Sequence, residues 1–185
     1  MIERVETERL LLRALSSDDV DDLIALDGDP EVMRHLTGGR PTPRAEMETI
    51  VRETHSHRWV AFTREDHDFV GWFAPRPSGD AEYELGYRLR REAWGKGLAS
   101  EASRALIEVA FTTVGARRVW AQTMAVNTQS RRVMERLGLR YVRTFHLECE
   151  DPIEGSEFGE VECELLRRDW RAATTDDRSG LSIEP

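Results

Sequence analysis

Between Tyr87 and Ser103 the chain reads Y-R-L-R-R-E-A-W-G-K-G-L-A-S-E-A-S: the end of a strand, a loop with glycines at 95 and 97, and the opening turns of a helix. Ala102, Leu106, Val109 and Ala110 recur at helical spacing, so the helix is predicted over Leu98 to Val114, with Gly115 at its stop. A helix that opens from a Gly-x-Gly loop aims several unpaired N–H groups in one direction. An anion placed there gains roughly 0.3–1 kcal/mol from the helix dipole. Gly95 and Gly97 let the main chain approach a phosphate with no side chain between them. The loop is not G-x-x-x-x-G-K-[ST], and the dinucleotide pattern G-x-G-x-x-G fails at Ser100. The other reading of such a loop is a plain strand-to-helix turn.

A second segment, Asn127 to Leu139, reads N-T-Q-S-R-R-V-M-E-R-L-G-L and lies about thirty residues further on. Together the two motifs resemble the GNAT (Gcn5-related N-acetyltransferase) superfamily, most nearly its RimJ/RimL-like branch. W-G-K-G-L-A-S-E-A is similar to that family's acyl-CoA pyrophosphate loop, with Trp94, Gly97 and Ala99 in its characteristic positions. The later segment is similar to the branch's N-x-x-S-x-x-x-x-E-x-x-G-F. The resemblance covers roughly Thr7 to Trp170.

The elements that must position these residues follow from periodicity. Thr7 to Ala14 reads as a strand, and Ser16 or Ser17 caps a helix to about Asp27 with Val20, Leu23, Ile24 and Leu26 inward. Gly28-Asp29-Pro30 breaks it, Glu31 to Leu36 reads as a brief helical turn, and Thr37 to Pro43 as a loop. Met47, Ile50, Val51 and Thr54 mark a further helix. Strands are predicted over Arg58 to Thr63 and Phe69 to Ala74, with Pro75 to Asp80 a loop. Tyr83, Leu85, Tyr87 and Leu89 alternate with polar residues as in a strand, and Arg118 to Met124 reads as another. Asn127 or Thr128 caps a helix ended by Gly138. Strands over about Tyr141 to Glu148 and Val161 to Leu166 flank an acidic stretch, and the polar tail after Trp170 reads as frayed. The expected class is α+β, a mixed and mostly antiparallel sheet with flanking helices. The resemblance further implies that Glu82 to Leu89 and Arg118 to Met124 splay apart and admit CoA between them.

Composition bounds the partners. The 185 residues carry a net charge of −9, with 39% hydrophobic and 33% charged residues, as expected of one globular domain over 1–170 and a tail over 171–185. Nucleic acid is disfavoured by that charge, and no run is long and apolar enough for a membrane. M-I-E-R-V-E-T-E-R does not read as a signal peptide, so a cytoplasmic setting is expected. Arg88, Arg90, Arg91, Lys96 and Arg104 form a basic island around the loop against Glu92 and Glu101, suited to an anionic ligand or else a solvated face. Cys149 and Cys163 are too few for a disulfide framework or a zinc site, and buried free thiols are expected.

The resemblance implies acetyl transfer from acetyl-CoA to a primary amine, a protein N-terminus or a small molecule, by direct attack in a ternary complex. No metal is implied, and a homodimer is compatible with it. Tyr87 and Leu89 lie on the first splayed strand, where Leu89 would offer its N–H to the thioester oxygen. The N–H groups of Gly95, Lys96, Gly97, Leu98, Ala99 and Ser100, beside Trp94, would cradle the diphosphate. Asn127 would bond the pantetheine arm, with Ser130 alongside, unless Asn127 serves only as a helix cap. An α-amino group titrates about 2.5 units below a lysine, so a water-relayed base is sufficient for it. Among side chains Glu84 is the first candidate base and His146 the second. The branch commonly carries Tyr at the position of Cys163, whose thiol is the candidate acid unless the thiolate leaves unaided. Gln122 stands where another branch carries a Glu base, and an amide cannot take that part. Trp59, Trp72 and Phe73 read as core packing before an acceptor pocket, and Asp29 to Arg40 as the segment that shapes acceptor specificity. A non-catalytic acyl-CoA-binding module and an unrelated nucleotide-binding α/β protein are the alternatives.

Overall fold

The computed structural model describes residues 4–54, 57–148 and 151–179. Among these residues eight strands form one sheet in the order β1-β2-β3-β4-β5-β6-β8-β7: β1 Arg4–Glu6, β2 Leu10–Ala14, β3 Trp59–Thr63, β4 Phe69–Gly79, β5 Glu82–Leu89, β6 Arg118–Met124, β7 Arg140–Phe145 and β8 Glu160–Leu166. Every pairing is antiparallel except β5 with β6. That pairing ends at Glu84 opposite Trp120, while β5 runs on to Leu89 and β6 to Met124. β4 stays paired with β5 up to Leu89, and β8 with β6 up to Met124. The sheet therefore opens as a V in its middle, as the resemblance implies.

Among the described residues six α-helices flank the sheet: α1 Val20–Asp27, α2 Pro30–Thr37, α3 Arg44–Thr54, α4 Leu98–Val109, α5 Thr128–Arg136 and α6 Arg167–Ser179. Leu98, Ala102 and Leu106 of α4 pack on Leu10, Leu12, Phe73 and Leu89 on one face. Leu23, Leu26, Met47 and Val51 of α1 and α3 pack on Val60 and Phe69 on the other. A third cluster joins Ile107, Phe111, Met134 and Leu137 to Leu85, Val119 and Val161.

Several expectations are corrected. The first strand is a hairpin, because Thr7 turns the chain by bonding the Leu10 N–H and carbonyl. Glu31 to Leu36 belongs to a full helix, capped by the Asp29 carboxylate on the Glu31 N–H. Pro75 to Asp80 is not all loop, since β4 extends to Gly79. Pro75 and Pro77 are tolerated there because β3 has already ended at Trp59, opposite Phe73, and no neighbour awaits their missing N–H. The long helix changes to a π turn over Ala110–Val114 before Gly115, whose φ is +84. Residues 171–179 of the expected tail continue α6, and the Trp170 ring packs 5.4 Å from that of Phe111. Cys149 lies outside the described residues.

Candidate active site

The loop after β5 is shaped by two left-handed glycines, Gly95 at φ +71 and Gly97 at φ +79, the latter capping α4. A Cβ at Gly95 would meet nothing within 4 Å, so the space in front of it is open. Behind the loop stands Arg9. Its Nη1 donates to the Lys96 carbonyl at 2.9 Å, and its Nε to Glu101 at 2.7 Å. Glu101 also accepts from Thr7 Oγ1 at 2.6 Å and from the Arg9 N–H at 2.8 Å. Burial alone would raise the Glu101 carboxyl; the bonds from Thr7 and Arg9 outweigh it and hold the group below the usual carboxylate range. The first turn of α4 is thereby fastened to the β1–β2 turn.

The basic island is mostly occupied elsewhere. Arg88 turns inward to Asp27, Arg90 pairs with Asp68 at 3.4 Å and Arg91 with Asp29 at 3.5 Å. Lys96 is exposed and makes no ion pair among the described residues. Ser100 is buried on α4, and its Oγ has no partner among the described residues. Open glycine main chain, an exposed lysine and an orphaned buried hydroxyl fit a diphosphate-bearing ligand at this helix start.

Along the V the strand alternation sets the donors. The Arg90 N–H donates to Val70 on β4, so the N–H of Leu89, and by period two that of Tyr87, points to the other edge, where β6 has diverged. The Leu89 carbonyl on that edge accepts from Trp94 Nε1 at 2.9 Å. Tyr87 reaches across to α5, its hydroxyl 3.1 Å from Ser130 Oγ, and burial pushes its phenol up to about 12. Asn127 caps α5 through Oδ1, which accepts the Ser130 N–H at 3.1 Å, leaving its amide nitrogen as the end that can face a ligand.

The candidate acid–base residues are dispersed. Glu84 sits at the vertex, the last residue of β5 paired with β6, in an ion pair with Arg76. His146 is exposed just beyond β7, outside β8, with Nε2 3.1 Å from the Glu157 carbonyl. The structure does not bring it to the V. Cys163 lies in the core with Val161 and Leu165, opposite Ala121, and burial pushes its thiol up. Phe73 is fully buried, whereas Trp72 is half-buried on the α1 face with the Arg58 guanidinium 4.1 Å and that of Arg88 5.3 Å from its ring. Across the V on that face, α2 forms a wall. It begins at Asp29, beside Arg91, and reaches the segment between β7 and β8 through Arg34 to Glu154 at 3.9 Å and, beyond its end, Arg40 to Asp151 at 2.7 Å. Sequence reading passed over Arg9 and Arg58, since their partners are distant in the chain and no local pattern marks them.

A parallel strand pair thus parts beside a helix start whose glycine main chain is open. The acetyltransferase (GNAT) domain family matches residues 9–140. The chain belongs to this family. It is an acetyltransferase, and GNAT enzymes use acetyl-CoA. It is 32% identical over 183 residues to FsC-acetyl coenzyme A-N(2)-transacetylase of Aspergillus fumigatus, covering 90% of this chain and 77% of that protein. It is 29% identical over 148 residues to the uncharacterized N-acetyltransferase p20 of Bacillus licheniformis, covering 75% and 83%. A GNAT acetyltransferase from Bacillus anthracis shares the fold with a TM-score of 0.78 at 23% identity, over 89% of this chain and 99% of that one. So does spermidine N-acetyltransferase from Vibrio cholerae, solved with CoA and spermine, with a TM-score of 0.73 at 18% identity over 89% and 99%. Among the described residues no helix is long and apolar enough to cross a membrane.

Proposed function

We propose that this chain transfers an acetyl group from acetyl-CoA to a primary amine by direct attack in a ternary complex. The observation that carries the reading is the end of β5–β6 pairing at Glu84 and Trp120, with the Gly95–Ser100 loop at the open end of the V. The two sequence motifs favour the RimJ/RimL-like branch. The name of the Aspergillus fumigatus relative, a transacetylase acting at an N(2) position, supports an amine nitrogen as acceptor.

In this reading Gly95, Lys96, Gly97, Leu98, Ala99 and Ser100 hold the diphosphate through main-chain N–H groups, with the Lys96 side chain supplying charge. Trp94 fixes the Leu89 carbonyl, so that the Leu89 N–H faces the arm that follows the diphosphate. Asn127 and Ser130 border that arm from α5. Tyr87 lies one alternation nearer the vertex, and its N–H, in place of the Leu89 N–H expected from the resemblance, donates to the thioester oxygen and stabilises the charge that develops there. The amine approaches over Gly86 from the α1 face. Glu84 takes its proton, directly or through a water, and passes it to solvent. The thiolate leaves unaided: the Tyr87 phenol, near 12, is a weaker acid than an ordinary thiol and serves to hold Ser130. The test is release of free thiol from acetyl-CoA with a panel of amines. Acetylated amine in stoichiometric yield establishes the reaction, and CoA binding without transfer to any amine refutes it.

A further inference from the structure

We propose that the acceptor carries a carboxylate as well as its amine, and that Arg58 and Arg88, stacked on Trp72, receive that carboxylate beside Gly86. The inference rests on the amine-acetylation reading above and names the class of substrate for that site.

Trp72, Ala74 and Arg76 of β4 pair with Arg88, Gly86 and Glu84 of β5, so these side chains share the face beneath α1. On that face Asp27, 2% exposed at the end of α1, accepts from Thr42 Oγ1 at 2.5 Å and from Arg88 Nη1. Both its oxygens are thus engaged. Arg58 lies over the same Trp72 ring and has no carboxylate partner among the described residues. The patch therefore holds two guanidiniums and one carboxylate among the described residues, and the neighbouring pair, Arg76 with Glu84, is already balanced. Burial pulls Arg58 down to about 10, and the charge on Arg88 adds to the effect. The buried Nε atoms of Arg58 and Arg88 have no partner among the described residues.

A structural role accounts for Arg88, which ties β5 to the end of α1. It leaves Arg58, a desolvated cation next to a like charge, to share at a distance the one carboxylate, Asp27, that Arg88 already holds. A ligand carboxylate supplies a nearer one, and planar guanidiniums over an aromatic ring are suited to bind it in a fork. Gly86 makes the room: a Cβ there would meet only Trp72, at 3.8 Å. Glu84 and Arg88 each stand two residues from Gly86 along β5, about 7 Å. A molecule lying on that floor has its carboxylate toward Arg88 and its amine toward Glu84 and the vertex.

The experiment compares glycine, β-alanine and 4-aminobutanoate with their carboxamides as acceptors of the full chain, with spermidine as a control. For the best chain length, kcat/KM should fall about ten- to a hundredfold on replacing the carboxylate by the carboxamide, mainly through KM. Arg58→Gln should bring that ratio close to one, and Arg58→Lys should restore part of it. Because Arg58 packs on Trp72, thermal melting accompanies each variant; should Arg58→Gln melt early, Arg58→Lys carries the comparison, with a ratio reduced but above one. Equal rates for acids and carboxamides, or the same loss for both on substitution, overturn the carboxylate site while leaving amine acetylation standing. Failure of every amine, spermidine included, to accept acetyl strikes the function on which the inference rests.

Discussion

Arg9 Nη1 lies 2.9 Å from the carbonyl oxygen of Lys96. In a trans peptide the carbonyl of one residue and the N–H of the next point in opposite directions, so holding the Lys96 oxygen toward Arg9 turns the Gly97 N–H away, toward the open side. Glu101 holds Arg9 in place from the first turn of α4. In the proposed reading Arg9 thereby aims main chain that holds the diphosphate.

Substituting Glu101 by Gln should therefore raise KM for acetyl-CoA about tenfold with little change in KM for the amine, because a carboxamide presents a donor to Arg9 and Thr7, which are donors themselves. Steady-state kinetics with each substrate varied checks this. The carboxyl is held below its unfolded value, so its stabilisation is complete above the ordinary carboxylate range and is lost as pH falls through the folded value. The difference in stability between wild type and Glu101→Gln should be constant near neutrality and vanish in acid, measured by urea unfolding across pH.

Gly95 and Gly97 separate backbone strain from ligand approach. Gly95→Ala places its methyl in open space, so the free protein should lose only the left-handed penalty, about 1–2 kcal/mol. Calorimetric affinity for CoA should fall further than that, because the methyl occupies the approach to the main chain. Gly97→Val should abolish CoA binding while the circular dichroism spectrum stays folded. Unchanged affinity in either variant excludes this loop as the diphosphate site.

The loop, the strand that feeds it and the Asn127 cap were legible because each is local: glycines at positive φ, alternation and a cap residue are written in adjacent positions. The splay came from resemblance, since loss of pairing beyond Glu84 depends on two strands over thirty residues apart. Long-range partners were not legible. Arg9 and Glu101, or Asp27, Thr42 and Arg88, meet only once the sheet has assembled. The extension of β4 through Pro75 and Pro77 was missed for a related reason. Proline forbids a central strand, and local sequence does not say that β3 stops at Trp59 and leaves that edge bare. The α6 helix has a polar sequence that signals a tail, and its docking depends on Trp170 finding Phe111.

Tyr87→Phe tests the assignment of the phenol as a brace. Removing the hydroxyl should raise KM for acetyl-CoA several-fold by loosening Ser130 from β5, with no change in the alkaline limb of the kcat profile, since a group near 12 does not titrate within the working range. A lost or displaced alkaline limb identifies the hydroxyl as an acid instead. The phenol is raised above its unfolded value of about 10, so its stabilisation is present below that pH and is lost as pH rises toward about 12. Wild type should therefore destabilise more steeply over that interval than Tyr87→Phe.

Glu84→Gln tests the base at the vertex. A carboxamide keeps the size and a bond to Arg76 but cannot accept a proton, so the burden falls on water. Amines near pKa 10 are almost wholly protonated at neutrality, whereas α-amines near 8 are neutral in a fraction of about one-tenth. Loss of the base should lower kcat roughly a hundredfold for the former and tenfold or less for the latter, and a Brønsted plot of kcat against amine pKa should steepen. A small, uniform decrease would reduce Glu84 to the strand-end partner of Arg76 and shift the proton to a water relay along the open V.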